Sequence, residues 1–220
     1  MKKGIDITIK IVLLIVIVLL IVRIWSGIKN PIDFENTKNK RFDATIERLK
    51  DIRVGQVAFK EKYGVFTPSF DTLINFIKAD SMRIIKAEGF VPDSLTEKEA
   101  LKLGIVTRDT SYVSIKDSLF KKLRYPLDSI RFIPTGTRAE FDMDTASVMT
   151  GSGVEVKVFE AKITYDAVLS GLDEQEIVNL KAKFRAADKN NPEKIDPKLI
   201  VPVIRVGSLT EANNNAGNWE

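Results

Sequence analysis

The chain has 220 residues, no cysteine and no histidine, and a formal net charge of +4. This length suits one domain or two small ones and is sufficient for a buried core. Without histidine or cysteine, Ser-His-Asp triads, Cys-His pairs, histidine or thiolate metal sites and iron–sulfur clusters are excluded. Carboxylates, lysines, tyrosines and hydroxyls remain, but we expect no enzyme, no cofactor and no metal site.

The positive charge belongs to the N-terminus. Residues 1–29 hold five basic residues and one acidic residue, so the rest of the chain holds equal numbers of each. A nucleic-acid-binding domain carries its excess positive charge on the folded part. The charge distribution therefore predicts no nucleic-acid binding.

The first predicted element is a membrane-spanning helix. Ile11 to Val22 is an unbroken run of apolar residues. With its apolar neighbours the stretch reaches about 21 residues, enough to cross a hydrocarbon core of about 30 Å. Lys10 and Arg23 can extend to the headgroups, and Trp25 suits the membrane interface. Residues 1–29 are therefore predicted to be a single-pass signal-anchor helix in contact with the lipid bilayer.

Two other interpretations of this segment stay open. A cleaved signal peptide needs small residues at the cut, and only Ser26 and Gly27 offer them. A buried core helix is the other, although twelve consecutive apolar residues leave no polar face for water. The positive-inside rule favours neither membrane orientation clearly, but a short basic N-terminus retained in the cytoplasm is the simpler arrangement. We expect an inner-membrane protein whose C-terminal domain is periplasmic or otherwise extracytoplasmic.

A long amphipathic helix is predicted behind the anchor. Asn30 and Pro31 are expected to interrupt the apolar helix, because proline disfavours helical geometry at the residue before it. Residues of the predicted inward face then recur every three to four positions: Phe42, Ile46, Leu49, Ile52, Gln56, Phe59 and Tyr63. The predicted solvated face consists of Glu47, Arg48, Lys50, Asp51 and Arg53. This pattern favours core packing over a partner-binding groove.

The first 78 residues resemble type IV pilins and type II secretion pseudopilins. The shared features are a basic N-terminus, an apolar helix, a proline near its end and a long amphipathic helix. In that family an aromatic-Gly-x-aromatic-Pro-like turn and a short leucine-containing helix often follow. Tyr63, Gly64, Phe66, Pro68 and Leu73 fit that arrangement approximately. The resemblance implies lateral packing of N-terminal helices within an assembly.

The N-terminus differs from the processing site of that family. The family has a glycine, usually followed by phenylalanine, with glutamate five positions after the cut. Here Gly4 is followed by Ile5, and Ile9 stands at the fifth position. A mature start at Ile5 would therefore distinguish pilin-like processing from retention of the whole N-terminus.

Shorter elements follow in the rest of the chain. Predicted helices lie after a Ser69 or Asp71 cap, after the Thr96–Glu99 capping box, at 117–120 and at 173–187. Predicted strands lie at 82–86, 112–115, 130–133, 141–148, 154–164 and 198–206. A hairpin turn at 150–153 and the alternation along 154–164 predict an antiparallel sheet with one solvated face.

The predicted fold is α+β. It contains the N-terminal transmembrane helix, the long amphipathic helix, and an antiparallel sheet with additional short helices. The predicted boundaries are a membrane anchor at 1–29, an extramembrane domain at 30–209 and a polar, mobile tail at 210–220.

Only one acidic pair suggests chemistry. Asp142 and Asp144 would lie on one face of a strand, where two carboxylates and further oxygen ligands can hold a divalent cation. A solvated strand face is the simpler explanation, because this spacing is common. No phosphate-binding glycine motif and no nucleophile–base arrangement is present.

The predicted function is therefore structural. We expect a single-pass structural or assembly protein of the bacterial cell envelope that acts through contacts with other envelope proteins or with itself, and the resemblance implies a pseudopilin-like form of it. One alternative is a secreted or envelope binding module released by signal cleavage. A further alternative is a carboxylate-based, metal-assisted enzyme.

Overall fold

A computed structural model describes residues 2–93, 95–135, 137–189 and 202–220. The helices are α1 (Lys2–Tyr63), α2 (Phe70–Ala79), α3 (Glu97–Lys102), α4 (Ile115–Leu119), α5 (Tyr165–Leu169) and α6 (Glu174–Lys189), with a 3₁₀ helix at Leu127–Arg131. The strands are β1 (Ser81–Glu88), β2 (Thr107–Ser114), β3 (Asp142–Met149), β4 (Glu155–Thr164) and β5 (Val203–Gly207). The predicted α+β class is confirmed.

The strands form two small antiparallel sheets rather than one. In the first, β1 pairs with β2, and Arg83 lies opposite Tyr112. In the second, β4 lies between β3 and β5. The predicted hairpin joins β3 to β4, with Asp142 opposite Lys162. Strand pairing depends on contacts between distant residues, so the alternation alone did not reveal that there are two sheets.

The predicted helix break at Asn30 and Pro31 is wrong, because Pro31 lies inside the continuous helix α1. Proline has no N–H to donate to the carbonyl of Gly27, and its ring crowds that carbonyl. Only one intrahelical hydrogen bond is lost in this way. The bonds of the neighbouring turns keep the chain helical, as in other helices that contain a proline.

The chain divides into two compact units. The first contains the described residues of Met1–Thr45, Thr135–Thr137 and Thr164–Pro202. Within it, Arg41 donates to the carbonyls of Val168 and Ser170 at the end of α5, at 3.0 and 2.9 Å. The ring of Phe42 meets the ring of Tyr165 edge-on, with centroids 4.7 Å apart. These contacts connect α1 with α5 inside this unit.

The second unit contains the described residues of Ile46–Pro134, Arg138–Ile163 and Val203–Glu220. Its core includes Leu49 and Ile52 of α1, which are fully buried, and Leu73 and Ile77 of α2. A Cβ atom added to Gly55 would lie 3.1 Å from Cδ1 of Ile77, so the absence of a side chain lets α2 approach α1 closely. This burial confirms the central part of the predicted inward face.

The buried Gln56 side chain fixes the turn that leaves α1. Its amide oxygen accepts from the N–H of Thr67 at 3.1 Å, and its amide nitrogen donates to the Thr67 carbonyl at 2.5 Å. Ser69 then caps α2 by accepting from the N–H of Thr72. Phe66 and Phe70 are both buried, as expected from their apolar character. The turn is therefore held by polar and apolar contacts together.

Arg48 is buried, although the sequence places it on the solvated face of the helix. Its guanidinium donates to the carbonyls of Ser129 and Phe132 and stacks 3.4 Å from the centre of the Tyr125 ring. The Tyr125 hydroxyl donates to Asp51. Burial is the main cause that lowers the pKa of Arg48 and raises the pKa values of Asp51 and Tyr125. Carbonyls of a distant segment thus accept the hydrogen bonds that water would accept from an arginine on an exposed helix face.

That segment contains the predicted strand at 130–133, and the prediction is wrong. Its first half belongs to the 3₁₀ helix Leu127–Arg131, and only one isolated bridge joins Phe132 to Glu140. The carbonyl just before this segment and one carbonyl within it accept hydrogen bonds from Arg48, as described above.

The prediction of one solvated sheet face also fails at β4, where four consecutive residues, Val158 to Ala161, are buried. The side chains of Lys162 and Arg205 reach Glu160 at 3.0 and 3.5 Å across that face.

Residues 210–220, which the sequence predicts as a polar, mobile tail, are hydrogen-bonded to β5. Ala216 accepts from the N–H of Gly207 at 2.9 Å, and the backbone N–H of Asn218 donates to the Arg205 carbonyl at 3.1 Å. The Asn218 side chain accepts from Arg205 and donates to the Val203 carbonyl. Glu220 forms an ion pair with Arg53 at 2.7 Å. The segment therefore covers backbone groups at the edge of β5 that would otherwise stay open.

The predicted strand at 198–206 is confirmed in part as β5, and positions 198–201 lie outside the described residues. The capping box of Thr96 and Glu99 is present at α3. Asp173 accepts from the N–H of Glu176 and precedes α6, as its predicted helix start requires. The predicted domain boundaries at 29 and 209 stay predictions.

Candidate interaction surface

The apolar segment of α1 is exposed along its whole length. From Ile11 to Val22 the side chains are 44–63% exposed, so none of the described residues covers them. By length and composition this helix can cross a membrane.

The Asp142 and Asp144 pair lies on an exposed face of β3. Oδ2 of Asp142 is 3.6 Å from the Lys162 amine, and Asp144 accepts from the N–H of Thr145 at 2.7 Å. On the neighbouring strand, Glu160 lies opposite Asp144, and its carboxylate accepts a hydrogen bond from the Lys162 amine. Within the described ranges, no three acidic side chains come together to hold a metal ion. The two carboxylates therefore belong to an exposed, charged face of the strand.

A groove of about 610 Å³ opens between α1, α2, α4 and the β1–β2 ribbon. Its buried side includes Ala58, Phe76 and Ile115. Met82, Ile85 and Tyr112 of the ribbon also line it, together with the charged residues Glu61, Lys62 and Arg83. Its volume falls in the range of about 300–1,000 Å³ that is typical of ligand pockets. We refer to this feature as the groove.

Asp80 joins three of the helices that frame the groove. Its carboxylate accepts from the Lys62 amine at 2.6 Å and from the Tyr63 hydroxyl at 2.7 Å, both at the end of α1. Its backbone N–H donates to the Phe76 carbonyl, and its own carbonyl accepts from the N–H of Ile115. A single residue therefore connects the C-terminal ends of α1 and α2 with the start of α4.

Aromatic rings support the same corner. The ring centroids of Phe59 and Phe76 lie 5.1 Å apart, and those of Phe59 and Tyr63 lie 4.7 Å apart. Such pairs contribute about 0.5–1.5 kcal/mol beyond their burial. Tyr63 is nevertheless half-exposed, which corrects its predicted place on the buried face of the helix. The ring lies at the surface of this corner, and its hydroxyl therefore reaches Asp80.

The ribbon presents apolar side chains to solvent. Arg83 and Tyr112 lie opposite each other, and Ile85 follows two residues later on the same face of β1. Tyr112 is 70% exposed and Ile85 is 43% exposed. Exposed apolar residues continue through the connection between β1 and β2, at Phe90, Leu101, Leu103 and Ile105.

A basic cluster begins directly after the groove residue Ile115. It consists of the exposed residues Lys116, Lys121, Lys122 and Arg124 in a stretch that also contains exposed Asp117. In the part of the chain that the structure describes, no ion pair engages any of the four. Summing the charge over the whole domain conceals this cluster, because acidic residues elsewhere balance it. Counting charge in a short sequence window would have found it.

The carboxylate of Asp80 predicts a pH-dependent contribution to stability. Hydrogen bonds from Lys62, and then from Tyr63, lower the pKa of Asp80 below its ordinary value of 3.8. A lowered pKa stabilises the folded state above the ordinary value, and this contribution disappears as the pH falls through the lowered pKa. Because the pair lies at the surface, we expect Asp80→Asn to cost about 1 kcal/mol or less at neutral pH.

Urea unfolding of the parent and Asp80→Asn, followed from about pH 6 to about pH 2.5, measures this effect. The difference in unfolding free energy should be constant above about pH 5 and shrink below 3.8. Asp109→Asn is the control, since Asp109 is exposed on β2 and has no ion pair among the described residues. A difference that persists unchanged at the lowest pH would contradict the assignment to Asp80.

No family model matches the chain, and the comparisons with curated proteins and with solved structures found no match. The functional argument therefore depends on the residues themselves. The sequence indicated both strands of the ribbon but not the groove, because the register that places Arg83 beside Tyr112 joins residues almost thirty positions apart. Sequence alternation gives the faces of each strand and leaves their pairing open.

Proposed function

We propose that the chain is a single-pass membrane protein of the bacterial cell envelope that acts by binding other proteins. The observation that carries this proposal is the exposed apolar segment of α1, from Ile11 to Val22. Lys10 and Arg23 flank it, and Trp25 follows at the distance expected for a membrane interface. The extramembrane part would then face the periplasm or the exterior.

Two further observations support a binding role. The exposed ribbon and the groove offer apolar surface. The sequence of residues 1–78 also resembles type IV pilins and pseudopilins. In the pseudopilin-like form of the proposal, the N-terminal helices of several copies pack side by side in the bilayer.

Membrane fractionation tests the anchor. The full-length chain should remain in the pellet after alkaline carbonate extraction, and a variant lacking residues 2–29 should not. Full-length protein in the soluble fraction would contradict the anchor. A reporter enzyme that is active only outside the cytoplasm, fused to the C-terminus, would test the orientation.

Mass spectrometry of the mature N-terminus separates the remaining alternatives. An intact start at Met1 supports the uncleaved signal-anchor. A start just after Ser26 would instead favour a released binding module. A start at Ile5 would indicate pilin-like processing and retain the apolar segment.

A further inference from the structure

We propose that the ribbon of β1 and β2 binds a second copy of this chain, through antiparallel pairing of the two β2 strands. The pairing is centred on Thr110, which lies opposite Thr110 of the second copy, and it produces a four-stranded sheet. This inference rests on the proposed function, because it names the partner and the place of contact between membrane-anchored copies.

A two-stranded ribbon is a weak structure by itself. An antiparallel pair becomes stable when a third strand joins it or when one of its faces packs against a helix. All residues from Thr107 to Tyr112 are exposed, so both faces of this part of β2 are open. Exposed apolar residues also concentrate in the ribbon and its connection, as described above. The ribbon therefore has a physical reason to accept another strand.

The hydrogen bonds of the ribbon show which backbone groups of β2 point away from β1. The N–H of Ile115 donates to the carbonyl of Asp80 at 3.1 Å, one residue beyond the Ser81–Ser114 pair. Along an antiparallel ladder, pairs that exchange hydrogen bonds alternate with pairs that do not. Ser81 and Ser114 are a pair of the second kind, so every second residue of β2, counted back from Ser114, directs its N–H and C=O outward. These residues are Tyr112, Thr110 and Arg108.

The chain covers one of its strand edges and leaves that of β2 open. Residues 210–220 cover the outer edge of β5, as described above. Among the described residues, no strand pairs with the outer edge of β1, β2 or β3. Moreover, β2 contains no proline and no lysine, and its eight residues pair with β1 without a bulge. It therefore lacks the features by which natural edge strands avoid pairing.

Charge distinguishes the edge that suits a second copy from the other open edges. Two identical strands bring identical charges together, and like charges on opposite strands destabilise their pairing. The strand β3 has two carboxylates and no cation, and β1 has two cations and one carboxylate. Of these three strands, only β2 has balanced charges, those of Arg108 and Asp109. A second copy of β2 therefore meets no net repulsion from the strand itself.

The register follows from the exposed part of β2. This part is Thr107–Tyr112, whereas the last two residues of the strand are half-buried where α4 begins. A two-fold axis places an outward-directed residue opposite another outward-directed residue. Pairing centred on Thr110 satisfies this condition within the exposed part. A centre at Asp109 would place two carboxylates opposite each other, and a centre at Ser111 would require the half-buried end.

The side chains that meet in this register are compatible. Thr110 lies opposite Thr110 of the second copy, and cross-strand threonine pairs form hydrogen bonds. Arg108 lies opposite Tyr112 of the second copy, where a guanidinium can stack on the ring. Arg108 also forms an ion pair with Glu97 of α3. An ion pair engages the edge of a planar guanidinium and leaves its flat face for the ring.

The contact is small, and the membrane anchor makes it effective. An edge of this length is smaller than a stable interface, which buries about 1,200–2,000 Å² in total. Anchored copies share one bilayer, and this confinement raises their effective concentration. We therefore expect the pairing in the membrane.

A cysteine scan tests the register, because the natural chain contains no cysteine. The full-length variants Thr107→Cys, Asp109→Cys, Thr110→Cys and Ser111→Cys are reconstituted in phosphatidylcholine liposomes and oxidised with copper phenanthroline. The paired Cα atoms lie about 5.5 Å apart at Thr110, within disulfide range, and about 20 Å apart at Thr107. Disulfide-linked dimer should therefore be about fivefold or more abundant for Thr110→Cys than for Thr107→Cys.

A charge exchange at Thr110 tests whether a second copy is the partner. The reporter is the disulfide between an Asp109→Cys copy and a Ser111→Cys copy, since these residues lie opposite each other in the register. Thr110→Lys in both copies, or Thr110→Glu in both, should lower its yield about threefold, because like charges then stand opposite each other. Thr110→Lys in one copy with Thr110→Glu in the other should restore the yield.

Thr107 provides the matched control. It lies on the same strand but opposite Val113, so a charge placed there does not meet its own copy. Thr107→Lys and Thr107→Glu should therefore give the same disulfide yield in like-charged and in mixed pairs. Equal urea midpoints of the Thr107 and Thr110 variants establish that they fold.

Four results would overturn the proposal. They are equal disulfide yields at all four scanned positions, a maximum at a position other than Thr110, no recovery in the mixed-charge pair, and a disulfide of Thr110→Cys with a different envelope protein in place of the dimer. Carbonate extraction of the same samples separates this failure from that of the anchor. A chain in the soluble fraction refutes the anchor, whereas a retained chain without the Thr110 disulfide refutes the pairing.

Discussion

Replacing Val16 and Leu20 by arginine is expected to release the full-length chain from the carbonate-washed membrane pellet. Both residues lie near the middle of the exposed apolar segment of α1. Arginine at the centre of a membrane helix costs about 2.5–3.5 kcal/mol in insertion free energy, and an apolar residue contributes a few tenths in the opposite direction. Two substitutions therefore shift insertion by about 6–8 kcal/mol, which is enough to abolish it.

The control places the same two charges outside the apolar segment. Asn36→Arg and Asn39→Arg lie on exposed positions of the same helix. Because these positions carry polar residues already, the control should stay in the membrane pellet like the parent. Retention of the Val16→Arg, Leu20→Arg variant would mean that the apolar segment does not hold the chain in a bilayer.

Replacing Gly207 by alanine is expected to have the largest effect on the stability of the second unit. Gly207 has φ = 76°, a conformation that side chains disfavour. A Cβ atom there would lie 2.1 Å from the carbonyl oxygen of Phe159 in β4, and this oxygen belongs to the backbone of the central strand. We expect a loss of about 3–4 kcal/mol, since the backbone penalty of 1–2 kcal/mol adds to that of overpacking.

Gly153→Ala is the matched control. Gly153 has φ = 77°, but an added Cβ would meet nothing within 4 Å. It should therefore lose only the backbone penalty of about 1–2 kcal/mol. Urea unfolding followed by the fluorescence of Trp219, in a Trp25→Phe background, measures both variants. Equal losses in the two would show that the approach of β5 to β4 does not require glycine.

The groove and the anchor depend on different properties of the chain. The anchor needs only an apolar surface of sufficient length, so every residue from Ile11 to Val22 contributes to it in a similar way. The groove depends on a few contacts, above all those of Asp80 with Lys62 and Tyr63. We expect substitutions in the groove to leave the membrane fraction unchanged.

Several elements could be predicted because their signals are local. The caps of α2 and α3 depend on residues three positions apart, and the hairpin between β3 and β4 is closed by the five residues 150–154. The strand predicted at 130–133 failed for the opposite reason. Its β-rich composition is local, but the carbonyls of Ser129 and Phe132 accept from Arg48, more than eighty positions away. Composition cannot report a hydrogen bond of that separation.

The sequence by itself determined the apolar segment of α1, the α+β class and the absence of histidine and cysteine chemistry. Each of these follows from residue type or from short-range periodicity. The tertiary structure decided the continuity of α1 through Pro31, the burial of Arg48, the attachment of residues 210–220 to β5, and the groove beside Tyr112. These features depend on hydrogen bonds and burial between residues far apart in the chain, and local patterns carry no information about which distant groups will meet.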